Sequence, residues 1–304
     1  MFKNVDLMTA IVTPFDKNNQ INYPAMKKLV DHCLKTGTRG FVVGATTGET
    51  PELTDDEKVE LYTKFGQMVP SNVPVIAGVG TNNTKESIRM TKKVGAIKGV
   101  DVCLEVVPYY NKPDQRGMFA HFTQIAAVSP VPIMMYNIPG RTGVKMANDT
   151  IVKLSHNPNI IGLKQCGTME DMEYLVQHCD QHFVIYSGED PQALFTKIVG
   201  GNGVISVASH IYGKQMRKMY DALYKGDYKT AGELQCKLTP VMGALFMYPS
   251  PSPTKAVLNA QGFDVGGCRM PLLALNKPEK QALAKALGLP QDALLHSLSK
   301  ELKL

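Results

Sequence analysis

Ile160-Ile161-Gly162-Leu163-Lys164-Gln165 is a short apolar run with one lysine set into it, and its reading decides the fold. Residues Ile160–Lys164 read as a strand that is apolar on both faces, the pattern of a parallel sheet covered by helices. Similar runs recur along the chain at Leu7–Val12, Gly40–Gly44, Val73–Val79, Val102–Val107, Ile133–Tyr136, Phe183–Ser187 and Gly203–Val207. Helical patterns lie between them. Met26, Leu29, Val30, Cys33 and Leu34 follow an i, i+3, i+4, i+7, i+8 stripe, and Gly37 can close that helix. Thr54-Asp55-Asp56-Glu57 is a capping box, with acidic side chains where the helix dipole favours them. Eight such units predict an α/β fold, a (β/α)8 TIM barrel. An open doubly wound sheet is the rival, and the regular count of eight favours closure.

The pattern changes after residue 228, where strand-like runs cease. Helical stretches are expected at Lys229–Phe246, Lys255–Ala260, Glu279–Leu287 and Ala293–Leu302, the last carrying a stripe of Leu294, Leu295, Leu298 and Leu302. Residues 1–228 are therefore expected to form the catalytic barrel. Residues 229–304 would form a C-terminal helical domain, packed on the barrel or on a partner subunit.

Composition narrows the function classes. Of the 304 residues 44% are hydrophobic and 20% charged, ordinary values for a globular protein. The net charge of +6 raises the question of nucleic acid, but the longest basic runs are pairs such as Lys27-Lys28 and Lys92-Lys93. That is a mildly basic surface and no nucleic-acid site. Cys33, Cys103, Cys166, Cys179, Cys236 and Cys268 form no C-x-x-C, which fits reduced thiols in a cytoplasmic protein. Met1-Phe2-Lys3-Asn4 does not open a signal peptide, and no apolar run approaches the ~20 residues that span a bilayer.

A barrel predicts its own active site at the C-terminal ends of the strands. Those positions carry Thr46-Thr47-Gly48-Glu49, Tyr109-Tyr110, Tyr136 with Arg141 beyond it, Lys164, and Ser187-Gly188-Glu189. Alternation puts Gly162, Lys164 and Cys166 on one face, so Lys164 is expected to point into the barrel. Partial desolvation there would lower its pKa and leave neutral amine, the nucleophile of Schiff-base chemistry. The alternative is a strand-end lysine that reaches water or pairs with a carboxylate. Tyr136 is either a proton carrier or an aromatic lid. The Gly44–Gly48 turn offers hydroxyls and backbone N–H groups to a small carboxylate, or is simply a turn. Arg141 suits a bidentate carboxylate contact, or is a loop charge. His178 and His182 are an i, i+4 pair without an evident third ligand, so no metal is expected. Gly78-Val79-Gly80 lacks the third glycine of a dinucleotide fingerprint, so no nicotinamide or flavin is called for.

Gly44–Glu49, Pro108-Tyr109-Tyr110-Asn111, Tyr136–Gly143, Gly162-Leu163-Lys164 and Ser187–Asp190 together resemble the dihydrodipicolinate synthase family of pyruvate-dependent class I aldolases. The resemblance runs from Ala10–Phe15 to Arg269-Met270-Pro271-Leu272. It implies a lyase in which Lys164 forms a Schiff base with pyruvate, and the enamine adds to L-aspartate 4-semialdehyde. The product would be 4-hydroxy-tetrahydrodipicolinate, on the route to lysine and diaminopimelate. By the same resemblance Tyr136, Thr47 and Tyr110 form a proton relay, with Tyr110 reaching in from a neighbouring subunit of a dimer or tetramer. Thr46 and Thr47 would hold the pyruvate carboxylate and Arg141 that of the semialdehyde, while Gly188 and Ile205 supply backbone contacts. No cofactor is implied, because the lysine amine is the electron sink.

Arg141, with the two threonines and Tyr109-Tyr110, favours this activity over N-acetylneuraminate lyase and 2-keto-3-deoxygluconate aldolase, which share the barrel and lysine. One departure concerns regulation. Asn82, Glu86 and Tyr109 match the allosteric pocket of lysine-inhibited members, whereas Thr50, Pro51, Asp55 and Lys58 stand where those have small residues and histidines. A Lys58 ammonium there would repel a cationic effector, which implies weak or absent feedback. Two other readings stay open: another pyruvate aldolase, and a non-catalytic barrel that senses a small acid. Lys164, Tyr136 and the threonines argue against the second.

Overall fold

The computed structural model describes Phe2, residues 4–298 and Leu302. Eight parallel strands close into a barrel in sequence order: β1 (Leu7–Ala10), β2 (Gly40–Val43), β3 (Val75–Gly78), β4 (Val102–Val106), β5 (Ile133–Asn137), β6 (Ile160–Gln165), β7 (Val184–Ser187) and β8 (Gly203–Ser206). Each expected strand is present, trimmed or extended by a residue or two at its ends. The expected rival, an open sheet, is excluded by the closure.

Helices alternate with the strands: α1 (Tyr23–Thr36), α2 (Asp55–Met68), α3 (Thr84–Gly95), α4 (Gln115–Ala126), α5 (Pro139–Thr142), α6 (Asn148–Ser155), α7 (Met169–His178) and α8 (Ala193–Ile198). They are followed by α9 (Ser209–Tyr224), α10 (Tyr228–Ala244), α11 (Ser252–Ala260) and α12 (Lys277–Ala286). The caps are local chemistry. Asn22 accepts the Ala25 N–H at the start of α1, and Gly37, at φ 120°, ends it. The box before α2 forms as expected, with Thr54 Oγ1 accepting from Glu57 N at 3.2 Å and Glu57 Oε2 from Thr54 N at 2.9 Å. Met26, Leu29, Val30 and Cys33 are buried along α1, and Leu34 is half-buried.

The chain divides into two compact units, residues 1–6 with 62–205 and residues 7–61 with 206–304. In the first, register places Tyr136 beside Lys164, and Lys164 beside Tyr186, at one level of β5, β6 and β7. Tyr186 donates its hydroxyl proton to Val5 O at 2.6 Å. Gly203 opens β8 at φ 143°, and a Cβ there would run into Asp6 O, so only glycine fits.

In the second unit α9 packs against α1 and α10. His210 on α9 is fully buried, its Nε2 accepting from Val12 N at 3.2 Å. The proton therefore sits on Nδ1, 2.7 Å from Val207 O, and burial pushes the imidazole down to about 4. The expected helix over Ala293–Leu302 is not formed. Only Ala293–Leu295 makes a single 3-10 turn, and His296 is extended at φ −127°, ψ 176°. Leu298 N–H donates to Ala260 O at 2.7 Å, so the segment joins the end of α11 and does not coil on itself. Residues 299–301 of that stretch lie outside the described residues.

Glu105 on β4 is the least expected group in the first unit. It is fully buried, 2.6 Å from Thr91 Oγ1, which also lies 2.6 Å from Ser87 O. A hydroxyl has one proton, and the Ser87 carbonyl can only accept it. Thr91 Oγ1 is placed to donate to either acceptor, Glu105 Oε1 or Ser87 O, and cannot serve both at once. Burial pushes that carboxyl up to about 8 from 4.5, although the Thr91 contact pulls it back. Between those values the folded chain holds a proton that the unfolded chain has lost. Stability from this group is complete below pH 4.5 and is lost as pH rises through 8, at up to ~1.4 kcal/mol per pH unit. Urea unfolding of the parent and of Glu105→Gln across pH 5–9 should show the parent losing more stability as pH rises. Parallel profiles for the two proteins would refute the protonated carboxyl.

Candidate active site

Lys164 sits one residue from the end of β6 and is only 4% exposed. Its Nζ lies 4.4 Å from the ring centroid of Tyr136, which is itself buried. The strand level is fixed from outside the pair. Asn137 donates to Gln165 Oε1 at 3.0 Å and accepts from Met146 N at 3.1 Å, tying the ends of β5 and β6 to the chain beyond α5. Gly188, just past β7, donates its N–H to Gln165 O at 2.8 Å. A Cβ on Gly188 would come within 2.8 Å of Lys164 Cε and would also overlap Cys166 Sγ. The lysine stem occupies the space a side chain there would need.

The expectation of a lowered Lys164 pKa is overturned. Burial does pull the ammonium down, but Tyr136, Cys166 and Asp190 more than offset it, and the group is held above the ordinary lysine value. The Cys166 thiol is pushed up to about 12, chiefly by burial. The resting lysine is therefore an ammonium at neutral pH, and a free amine requires a proton to leave for a neighbour.

Arg141 lies on the short turn α5, which Gly143 closes in the left-handed region, and its side chain is exposed. Tyr110 is 87% exposed and adopts φ 71°, unusual for a residue with a side chain. Its N–H reaches Thr142 O at 3.4 Å, linking its loop to the Arg141 turn. Ile205 on β8 is fully buried. Asn82 donates to Tyr109 O at 3.2 Å, and Glu86 is paired with Arg89, its Oε2 accepting from Nε at 2.8 Å.

In the second unit, Thr46-Thr47-Gly48 form a single 3-10 turn after β2, with Thr47 buried and Thr46 half-buried. Thr13 Oγ1 donates to Gly48 O at 2.7 Å and Thr50 Oγ1 to Ala45 O at 3.0 Å. Lys58 Nζ lies 3.8 Å from Asp55. The residues that reading the sequence missed are here. Glu49, fully buried at φ 55°, pairs with the buried Lys255 at 2.5 Å and accepts Arg269 N–H at 2.8 Å. Arg269 in turn grips Glu57 with two hydrogen bonds of 2.8 and 2.6 Å. Arg269 drives Glu57 down to about 2. The ends of these pairs are far apart in sequence, and only the Gly44–Glu49 and Arg269–Leu272 motifs hinted at two of the partners.

Among the described residues no group of three or more His, Cys, Asp and Glu side chains could hold a metal ion. His178 and His182 turn instead to Tyr174 O and Asp180. No described helix is long and apolar enough to cross a membrane.

Known proteins resemble this arrangement throughout its length. The sequence profile of the Dihydrodipicolinate synthetase family matches residues 3–289. A 4-hydroxy-tetrahydrodipicolinate synthase of Limosilactobacillus reuteri is 60% identical over 97% of this chain and 96% of its own. One of Pediococcus pentosaceus is 54% identical over 97% of this chain and all of its own. The crystal structure of a Bacillus anthracis dihydrodipicolinate synthase superimposes with a TM-score of 0.91 at 44% identity, over 94% of this chain and 98% of that one. A lysine-bound structure of the Cyanidioschyzon merolae enzyme gives 0.88 at 38% identity, over 95% and 97%. Matched over nearly its whole length by profile, sequence and structure, the chain belongs to the dihydrodipicolinate synthetase family.

Proposed function

We propose that the chain is a lyase that condenses pyruvate with L-aspartate 4-semialdehyde through a Schiff base on Lys164, giving 4-hydroxy-tetrahydrodipicolinate for lysine and diaminopimelate synthesis. The observation that carries this reading is the buried Lys164 amine over the Tyr136 ring. The activity named for relatives at 60% and 54% identity supports it.

The ammonium of Lys164 gives its proton to the Tyr136 hydroxyl oxygen as Tyr136 hands its own proton on through Thr47 and Tyr110, which carry it toward the substrate. The amine attacks C2 of pyruvate, the proton returns to the ketone oxygen, and water leaves to form the imine. Loss of a C3 proton gives an enamine, whose C3 bonds to the aldehyde carbon of the semialdehyde. The substrate's own amine then attacks C2, closing the ring and expelling Lys164. Thr46 and Thr47 hold the pyruvate carboxylate, and Arg141 the semialdehyde carboxylate. Gly188 and Ile205 supply backbone contacts. No cofactor takes part in these steps. The strand ends of a parallel barrel share one rim, which favours this division of labour.

The exposed, strained Tyr110 suits a residue that completes the site of another subunit, in a dimer or tetramer working in the cytoplasm. Residues 1–228 would be the catalytic barrel and 229–304 the C-terminal helical domain. Feedback by lysine should be weak. The Glu86 carboxylate is already occupied by Arg89, and Lys58 brings a like charge to the Thr50, Asp55, Asn82 and Tyr109 set.

Pyruvate consumption by the purified chain should require the semialdehyde. Borohydride with pyruvate should leave a reduced adduct on the Lys164 peptide. Lys164→Ala should lose the adduct and cut turnover by roughly 10⁴ or more. An adduct elsewhere, or a variant that still turns over, would remove Lys164 from its role. Gly188→Ala pushes a methyl against the lysine stem and should lower the imine-forming rate by about 10²; an unchanged rate would mean the stem is free to move. Added L-lysine should leave the rate unchanged up to low-millimolar concentration, and inhibition below that range would overturn the feedback reading.

A further inference from the structure

We propose that Glu49 and Lys255 are positioning residues: their buried ion pair fixes the Thr46-Thr47 turn in the conformation that receives the pyruvate carboxylate. This rests on the reading that those threonines bind that carboxylate.

Glu49 ends the turn directly after Gly48 and stands at φ 55°, where a side chain costs backbone energy. Both of its carboxylate oxygens are held from beyond the turn. Oε1 meets Lys255 Nζ at 2.5 Å, and Oε2 accepts Arg269 N–H at 2.8 Å. Lys255 is itself anchored, donating to Gly267 O at 2.7 Å with its Nζ 4.3 Å from the Phe15 ring centroid. Arg269 stacks on the same ring at 4.4 Å and is locked to Glu57, Glu52 O and Asn19 O. The carboxylate is thus a peg seated in a rigid socket made by α11 and residues 266–269, and the turn is what the peg holds. Both charges are fully buried, at 0% and 2% exposure. Such pairs commonly add little stability over apolar residues of the same volume, so what this one contributes is geometry.

The placement matters because this turn carries both threonines that would receive the carboxylate. Among the described residues, the Thr13 and Thr50 hydroxyls and backbone bonds within the turn also support it. A carboxylate-binding turn must hold its donors to about 0.5 Å. The pair therefore acts on pyruvate binding and not on the semialdehyde.

Three variants test this in the full-length protein: Glu49→Gln, the double variant Glu49→Gln/Lys255→Met, and Thr46→Ala. The double variant leaves no unpaired buried charge, which keeps the test open where the single variant is destabilised. The readouts are KM for each substrate and the pyruvate concentration giving half-maximal borohydride trapping. The double variant should raise both pyruvate values by about 10–100-fold. KM for the semialdehyde should stay within twofold, a split that a general loss of structure would not produce. If Thr46→Ala shifts the pyruvate values and the double variant does not, the carboxylate reading stands and the positioning role is refuted. If Thr46→Ala leaves them unchanged, that reading falls, and the proposal with it.

Discussion

Taking an amine out of water is the constraint on which the catalytic half of this structure turns. Lys164 can be 4% exposed because Tyr136, Cys166 and Asp190 surround it and favour its charged form more than burial disfavours it. That arrangement dictates the neighbours. The position just past β7 is tight for any side chain, because Cys166 Sγ and the Lys164 stem lie against Gly188. β5 and β6 must be held in register to within a fraction of a residue, which the Asn137–Gln165 bond does. The aromatic neighbour lies over the amine, with Lys164 Nζ 4.4 Å from the Tyr136 ring centroid.

Charge is buried elsewhere too, and each case is resolved differently. Glu105 is pushed toward its protonated form by burial, with the Thr91 hydroxyl against it. His210 stays neutral, with its two nitrogens divided between a donor and an acceptor. Glu49 and Lys255 are buried against each other as an ion pair. The three solutions follow from what lies nearby: a hydroxyl shared with a carbonyl, two backbone groups of opposite polarity, or an opposite charge.

What could be read from the sequence was whatever chemistry is local. Strand positions followed from apolar runs, and helix boundaries from the Thr54 capping box and Gly37, since those signals lie within a few residues. The candidate residues Lys164, Tyr136, Gly188 and Arg141 stood out because strand ends are where a barrel places its chemistry. The tail after Ala293 was misjudged because a leucine stripe does not reveal that Leu298 will bond to Ala260. Lys164's protonation was misjudged for a related reason. Desolvation can be inferred from a strand, whereas the compensating groups come from β5, the end of β6 and the segment after β7. The Glu49–Lys255 pair lay beyond reach because neither residue says anything alone.

The bare α-carbon at Gly188 has a consequence for how this protein can change. A side chain there must displace the Cys166 thiol or the Lys164 stem. Arg141, on an exposed four-residue turn that Gly143 ends, carries no comparable packing debt. Exchange at the α5 turn therefore meets no steric barrier of the kind that guards position 188, so the two sides of this unit differ in how freely their side chains can be replaced.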